Sequence, residues 1–286
     1  MDTRHMVFGI QASGKTTFAA ALWHLVDSEE VPTALLKGKH AGNFSYLEEV
    51  AQSWCEGWEV ERTKSQQIEN VRINLRHAPS NGEVALEFDD LSGETFEQAF
   101  ATRLCTKEFL ELVKAAEGIL LFLSASRKID GVTILDAFDA EETPSEPDEA
   151  EEAEWDPYTA PLQVQLVDLL QSLLRPPFEK PPLKIALIVS AWDLTDESDA
   201  TRWLEKRYPL LAQYLQSSEG VANARIYGVS AQGGRLSKRG HPPGQDRDRL
   251  LMMTPPSKRI KIIGPDVAEH DLTRPLLWLA GLEPPT

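Results

Sequence analysis

Residues 9–16 of this chain read Gly-Ile-Gln-Ala-Ser-Gly-Lys-Thr, which matches the pattern G-x-x-x-x-G-K-[ST] at every specified position. The two glycines let the backbone curl so that successive N–H groups point at one anion, and the helix that follows adds the positive end of its dipole. In such a loop Lys15 reaches the β- and γ-phosphates, and the Thr16 hydroxyl is a ligand for Mg²⁺. The predicted phosphate-binding residues are Gly9, Gln11, Ala12, Ser13, Gly14, Lys15, Thr16 and Thr17.

The sequence around this loop predicts a strand before it and a helix after it. Residues 5–8 can form a short strand, and Phe18, Leu22 and Leu25 recur at helical spacing. A phosphate-binding loop of this kind needs a strand on one side and a helix on the other. The context therefore favours a ligand-binding loop over a glycine-rich turn without a ligand.

Farther along the chain, strands and helices alternate. Residues 71–75 and 84–88 alternate apolar and polar side chains around Asn81 and Gly82, which predicts an antiparallel hairpin. Continuous apolar runs at 119–123 and 185–189 are typical of strands buried on both faces. Further predicted elements are helices at about 94–116, 162–173, 200–215 and 271–282 and a last strand at 226–229. We expect an α/β fold with three layers, in which helices cover both faces of a mostly parallel six-stranded sheet with one antiparallel hairpin.

Composition and charge set the domain organisation. The 286 residues are expected to form a single domain over residues 1–286, with insertions at about 38–62, 127–159 and 234–264. Nine carboxylates and no base lie between residues 139 and 154, whereas eight Lys or Arg lie between residues 235 and 261. These charged insertions are either solvated surface loops or segments that pair with each other or with a partner protein. Because the net charge is −16, nucleic acid is not an expected partner.

Several other classes of protein are disfavoured. The first ten residues do not resemble a signal peptide, and the longest apolar run, 118–125, is too short to span a bilayer. The two cysteines, Cys55 and Cys105, both fall in helical patterns, which argues against a disulfide framework or a zinc cluster. We expect a cytoplasmic protein without a membrane partner.

A second acidic element follows the predicted hairpin. Residues 90–93 read Asp-Leu-Ser-Gly, an Asp-x-x-Gly at the carboxyl end of a strand. Asp90 can hold the hydration shell of Mg²⁺, and the Gly93 N–H can be offered to the γ-phosphate. Asp89 is the competing carboxylate, but the spacing to Gly93 favours Asp90.

With these elements in this order, nearly the whole chain resembles the Ras-like GTPases of the translation-factor-related class of P-loop NTPases. The resemblance implies that the ligands are GTP or GDP with Mg²⁺, and that Thr63, just before the hairpin, completes Mg²⁺ coordination and senses the γ-phosphate. Glu94 stands where these proteins carry the glutamine that orients the attacking water. A carboxylate beside a triphosphate is repelled, so slow hydrolysis is expected, with Lys15, Thr63 and Glu94 as its catalytic residues.

The resemblance also identifies the side of the site that holds the base. Residues 189–193, Val-Ser-Ala-Trp-Asp, stand where these GTPases carry Asn-Lys-x-Asp. Asp193 matches, and its carboxylate can accept hydrogen bonds from the ring N–H and the amino group of guanine. Ser190 and Ala191 replace the asparagine and the lysine, while Trp192 either stacks on the base or packs in the core. The remaining predicted base-side residues are Ser230 and Ala231.

The predicted function is a nucleotide-dependent switch that binds GTP with Mg²⁺ and hydrolyses it slowly. A weaker resemblance connects the chain to the bacterial double-GTPase families predicted in conflict and defence gene clusters. A protein partner or a homodimer, formed through the 38–62 switch region or through the charged insertions, is also expected. Two alternatives stay open: a nucleotide-binding scaffold that does not hydrolyse, and a P-loop ATPase.

Overall fold

A computed structural model of the chain describes residues 2–39, 44–60, 71–88, 94–127, 156–180, 183–217 and 222–283. Its strands are β1 (Asp2–Phe8), β2 (Leu36–Lys37), β3 (Val71–His77), β4 (Gly82–Phe88), β5 (Gly118–Ser124), β6 (Leu183–Ser190), β7 (Ala222–Ser230) and β8 (Lys261–Ile263). Its α-helices are α1 (Lys15–Ser28), α2 (Phe44–Cys55), α3 (Glu94–Thr102), α4 (Lys107–Ala115), α5 (Leu162–Leu173), α6 (Ala200–Arg207), α7 (Pro209–Ser217), α8 (Arg247–Leu251) and α9 (Arg274–Leu279).

All eight of these strands form one sheet in the order β2-β3-β4-β1-β5-β6-β7-β8. Its centre is parallel, because β1 pairs in parallel with β4 and β5, and β5, β6 and β7 follow in parallel. The hairpin β3-β4 is antiparallel, with Val71 opposite Phe88 and His77 opposite Gly82. The predicted α/β fold and the predicted hairpin are therefore confirmed.

Strand β5 shows why the central sequence runs are apolar at every position. Ile119, Leu121 and Leu123 pack into one hydrophobic core, whereas Leu120 and Phe122 pack into a second core on the opposite face. Side chains of α1, α2 and α9 contribute to the core with Leu120, and side chains of α4, α5, α6 and α7 contribute to the other. Successive side chains of a strand point to opposite faces, so only a continuous apolar run suits a sheet with helices on both sides.

The sheet is larger than the expected six strands. The additional strands are β2, which pairs antiparallel with β3, and β8, which pairs antiparallel with β7. Each is only two or three residues long and lies at an edge. Strands this short carry too few residues to show a period of two in the sequence.

Two predicted helices are interrupted. The helix expected over 94–116 is divided into α3 and α4, because Arg103 adopts a φ of +61° and Thr106 caps α4 by accepting a hydrogen bond from the Phe109 N–H. Leu104 lies in the connection between the two helices and is 74% exposed, and Cys105 lies there as well instead of in a helix. The helix expected over 200–215 is divided before Pro209, which has no N–H to continue the ladder.

The predicted insertions differ in how much of them the structure describes. Helix α2 lies in the 38–62 insertion, and α8 and β8 lie in the 234–264 insertion. Residues 128–155, which make up most of the acidic insertion, lie outside the described residues. Within the described part of the chain, no helix combines the length and the apolarity that a membrane span requires.

Candidate functional site

The predicted phosphate loop connects β1 to α1, and its backbone has the required curl. Gly14, immediately before α1, is left-handed with a φ of +92°, and Ala12 has a φ of +59°. A Cβ at Gly14 would lie 2.7 Å from both Cβ and Oγ of Ser190. Glycine is therefore needed at position 14 for its backbone angle and for the close approach of the loop to β6.

Lys15 begins α1 and points back into the loop. Its side chain is buried, and its Nζ donates hydrogen bonds to the carbonyl oxygens of Gly9 and Ile10. These bonds hold a positive charge on the inner side of the loop, where a phosphate chain would need it. The Ser13 hydroxyl is also buried, and its oxygen has no hydrogen-bond partner among the described residues.

One side chain at the end of β6 forms a hydrogen bond with the loop. The Ser190 hydroxyl donates a hydrogen bond of 2.7 Å to the carbonyl oxygen of Ser13, and Ser190 is itself buried. The residue that follows, Ala191, adopts a φ of +52°. The serine at this position therefore joins the phosphate loop to the strand that leads to Asp193.

Asp193 is held by the strand next to its own. The Ser230 hydroxyl, at the end of β7, donates a hydrogen bond of 2.5 Å to the Asp193 Oδ1. The same Ser230 oxygen accepts a hydrogen bond of 3.1 Å from the Gly233 N–H. This pair fixes one carboxylate oxygen of Asp193 in the 3₁₀ turn after β6.

These elements surround one cavity of about 340 Å³. It lies beyond the carboxyl ends of β1, β5, β6 and β7, which is where ligands bind in open α/β sheets. The predicted site residues that line it are Gln11, Ala12, Gly14, Lys15, Thr16, Thr17, Asp193 and Ala231. The phosphate loop and the predicted base-side carboxylate therefore share one space, although about 180 residues separate them in the sequence.

Some predicted residues lie elsewhere. The Trp192 ring packs against Trp203, with ring centroids 6.4 Å apart, and lies so close to Gly228 that a Cβ there would be 2.4 Å from it. Trp192 is not among the residues that line the cavity, and this placement favours the packing alternative, while a role in nucleotide binding stays a prediction. Thr63, Asp90 and Gly93 lie outside the described residues, and Glu94 is the first residue of α3, without a described side chain.

The cavity also has walls that the sequence motifs did not reveal. Ser124 is the last residue of β5 and Ser126 follows it, and their hydroxyl oxygens lie 2.8 Å apart. Glu59 and Val60 come from the segment after α2, and four further unpredicted residues come from the segment after β7. Those residues are Gln232, Gly234, Arg235 and Leu236. Position after a strand would have indicated the serines, but Glu59 carries no comparable signal.

The donor set of the loop fits a phosphate-bound magnesium ion. Thr16 supplies a hydroxyl oxygen beside Lys15 in the cavity, and Mg²⁺ prefers oxygen ligands shared between protein and phosphates. Among the described residues, no group of three or more His, Cys, Asp or Glu side chains is arranged to hold a metal ion. The other predicted ligands, Thr63 and Asp90, lie outside those residues.

The comparison with protein-family models gives one match. The model described as "Double-GTPase 1" matches residues 6–279, which is nearly the whole chain. The comparison with curated protein sequences finds no match.

Three solved structures match this chain at low sequence identity and with TM-scores below 0.5. The bacterial selenocysteine-specific elongation factor EF-Sec shares 14% identity over 81% of this chain and 26% of its own, with a TM-score of 0.37. The Arl6 BBS3 small GTPase from Trypanosoma brucei with bound GppNp shares 10% identity over 81% of this chain and 88% of its own, with a TM-score of 0.35. The S. cerevisiae Ski7 GTPase-like domain bound to GTP shares 10% identity over 88% of this chain and 49% of its own, with a TM-score of 0.40. The chain thus spans only about a quarter and about half of the first and third of these.

Proposed function

Because the chain belongs to the Double-GTPase 1 family, we propose that it binds GTP with Mg²⁺ in the 340 Å³ cavity and hydrolyses it slowly, as a nucleotide-dependent switch. The observation that carries the proposal is that the phosphate loop and Asp193 line the same cavity. A triphosphate at one end and a purine at the other need these two features within the reach of one nucleotide.

At the phosphate end, the chain supplies charge and N–H donors. Lys15 Nζ exchanges its hydrogen bonds with the Gly9 and Ile10 carbonyl oxygens for bonds to phosphate oxygens. The loop N–H groups and the amino end of α1 add further positive potential. Such preorganised donors stabilise charge that develops on the leaving oxygens during phosphoryl transfer.

At the base end, Asp193 is the group that selects guanine. With Oδ1 held by Ser230, the carboxylate is oriented to accept from the ring N–H and the amino group of guanine. Adenine lacks this pair of donors, and a bound base that covers the carboxylate without donating to it is held more weakly. Ser190 takes the place of an asparagine here and connects this end to the phosphate loop through the Ser13 carbonyl.

Magnesium supplies charge neutralisation when it is bound with the triphosphate, and Thr16, Thr63 and Asp90 are the residues proposed to hold it. Glu94 is proposed to orient the attacking water, in the place of a glutamine. Its negative charge beside the γ-phosphate opposes this role, so turnover without a partner is expected to be slow.

The experiment is an assay of phosphate release from GTP and from ATP by the purified protein, with Mg²⁺ present. We expect slow release from GTP, its loss in Lys15→Ala, and weak competition by ATP. In Asp193→Asn the preference for GTP over ATP is expected to fall while the loop still binds phosphate. Release at many turnovers per second without a partner would contradict slow hydrolysis, and a clear preference for ATP would contradict the assignment of guanine.

Two observations each favour a second candidate. Glu94 in place of glutamine favours a nucleotide-binding scaffold without hydrolysis, which predicts GTP affinity but no turnover even with partners present. Ser190 and Ala191 in place of Asn and Lys favour an ATPase, which the competition with ATP separates from the main proposal.

The proposed setting is a bacterial multi-protein conflict or defence system in the cytoplasm. A protein partner or a second copy of the chain is proposed to bind the switch region or one of the charged insertions. The membrane and nucleic acids are not proposed as partners. Size measurement of the purified protein with GDP and with a non-hydrolysable GTP analogue tests whether a dimer forms with nucleotide.

A further inference from the structure

One wall of the nucleotide cavity is built from two segments that are far apart in the sequence. Glu59 and Val60 come from residues 54–60, at the end of α2, and Gly234, Arg235 and Leu236 come from residues 231–259, after β7. We call the contacts between these two segments the clamp. The first segment leads directly to residue 61 and thus toward Thr63, while the second begins at the predicted base-side residue Ala231.

Two arginines of the second segment hold the carboxyl end of α2. Arg259 Nη1 donates to the carbonyl oxygens of Trp54, at 3.2 Å, and Cys55, at 3.0 Å. Arg247 Nη2 donates to the carbonyl oxygen of Glu56 at 2.9 Å. The last carbonyls of a helix have no partner within the helix, and a guanidinium there satisfies them and complements the helix dipole.

The same arginines lie over the aromatic rings of the first segment. The Arg247 guanidinium carbon lies 4.1 Å from the centroid of the Trp58 ring, and that of Arg259 lies 5.4 Å from the Trp54 ring. The Trp54 Nε1 donates a hydrogen bond of 2.9 Å to the Ala231 carbonyl oxygen. Each of these guanidinium groups therefore makes a cation–π contact as well as its hydrogen bonds, and both stabilise its position against residues 54–60.

Backbone contacts bring the clamp to the cavity itself. The Glu59 N–H donates a hydrogen bond of 2.9 Å to the Ser237 carbonyl oxygen, one residue beyond the cavity wall. Gly57 is left-handed, and a Cβ there would lie 3.3 Å from the Leu251 side chain and 3.4 Å from Arg247. The Arg239 guanidinium donates to the carboxylate of Glu56.

The arginines differ in burial, which helps in designing a test. Arg259 is buried and also donates from Nε to the Leu250 carbonyl oxygen at 2.9 Å, and this burial lowers the pKa of its guanidinium. A buried charge that loses its partners is strongly destabilising, so Arg259 contributes to folding as well as to the clamp. Arg247 is only partly buried, so its removal is expected to affect the clamp more selectively.

We propose that Arg247 and Arg259 are positioning residues for nucleotide retention, because they hold residues 54–60 as a wall of the cavity that must separate from residues 231–237 before nucleotide leaves. This rests on the proposed function and goes beyond it. The basic insertion at about 234–264, which supplies both arginines, is then a part of the nucleotide site. Binding of the base next to Ala231 is then coupled to residues 54–60, the segment that precedes Thr63.

The experiment measures release of N-methylanthraniloyl-GDP into excess unlabelled GDP. We expect release from Arg247→Met to be about tenfold faster than from the wild type, with the association rate unchanged, since such changes fall mainly on dissociation. Arg247→Lys, which keeps a cation over Trp58, should give an intermediate rate. Lys258→Met, which removes an exposed charge next to Arg259, is the matched control and should release as the wild type does.

A second measurement uses the unmodified chain. Amide hydrogen exchange with and without GDP should show slower exchange over residues 54–60 and 231–237 when nucleotide is bound. Wild-type release rates in Arg247→Met, or exchange in these segments that GDP does not change, would overturn the clamp. A wild-type protein that binds no guanine nucleotide would instead contradict the proposed function.

Discussion

The Ser190 hydroxyl donates a hydrogen bond of 2.7 Å to the carbonyl oxygen of Ser13, so the end of β6 is joined directly to the phosphate loop. Ser190 also lies against Gly14 at the distance where a Cβ would clash. The loop therefore cannot move away from β6 without losing this bond, nor toward it without a collision. Through Ser190 the phosphate end of the cavity is in direct contact with the strand that leads to the base end.

Replacement of this serine should loosen the loop. Ser190→Ala removes one buried hydrogen bond, and we expect the free energy of unfolding to fall by about 0.5–1.5 kcal/mol. GDP affinity should fall as well, because the loop would lose its anchor. Urea unfolding and a GDP titration measure the two effects. Ser217→Ala, an exposed serine that also donates to a backbone carbonyl, is the control. Equal GDP affinity in Ser190→Ala and the wild type would contradict the anchoring role.

Gly14 is required for two reasons that a pair of variants can separate. Gly14→Ala places a Cβ 2.7 Å from Ser190 at a φ of +92°, whereas Gly240→Ala has a similar φ of +88° with no atom within 4 Å. Gly240→Ala should therefore show only the backbone penalty, about 1–2 kcal/mol. Gly14→Ala should lose more stability and also lose GDP binding, measured by thermal unfolding and fluorescence titration. Full GDP binding by Gly14→Ala would contradict the close packing of the loop.

His5 should make stability depend on pH. It is fully buried in β1, and burial, with the nearby Lys184 charge, lowers its pKa to about 4. In the unfolded chain the pKa of histidine is about 6.5, so between these values the unfolded chain binds more protons. The contribution of neutral His5 is therefore fully present above pH 6.5 and is lost as the pH falls toward 4.

A variant without this one histidine isolates its contribution. As the pH falls from about 6.5 to about 4, the unfolding free energy of the wild type should fall relative to that of His5→Gln by about 1.4 kcal/mol per pH unit. His241→Gln, at an exposed histidine, is the matched control for the substitution itself. Urea unfolding at a series of pH values measures it, and a difference that stays constant with pH would contradict a neutral buried His5.

The architecture was largely predictable because it depends on long, regular patterns. The apolar runs of β5 and β6 and the alternation in β3 and β4 reflect burial on both faces or on one face, which sequence period reports directly. The division of α3 from α4 was not predictable in this way. It depends on Arg103, a residue of ordinary helix propensity that adopts a left-handed conformation in this fold.

The candidate site was predictable only where local geometry determines it. The phosphate loop depends on glycines that must curl within eight residues, so its sequence shows it. The walls formed by Glu59 and Arg235 depend on contacts between segments about 180 residues apart, and no local pattern reports such contacts. Trp192 shows the same limit, because its packing against Gly228 and Trp203 is set by the neighbouring strand and helix.

Calorimetry of GTP binding with Mg²⁺ tests the central claim most directly, because it records occupancy of the cavity whether or not hydrolysis follows. We predict heat of binding with one nucleotide per chain for the wild type and none for Lys15→Ala. Lys258→Met, which removes one positive charge outside the cavity lining, should bind as the wild type does. A wild type that gives no heat with GTP, or a Lys15→Ala protein that binds GTP equally well, would contradict a nucleotide site built on the 9–16 loop.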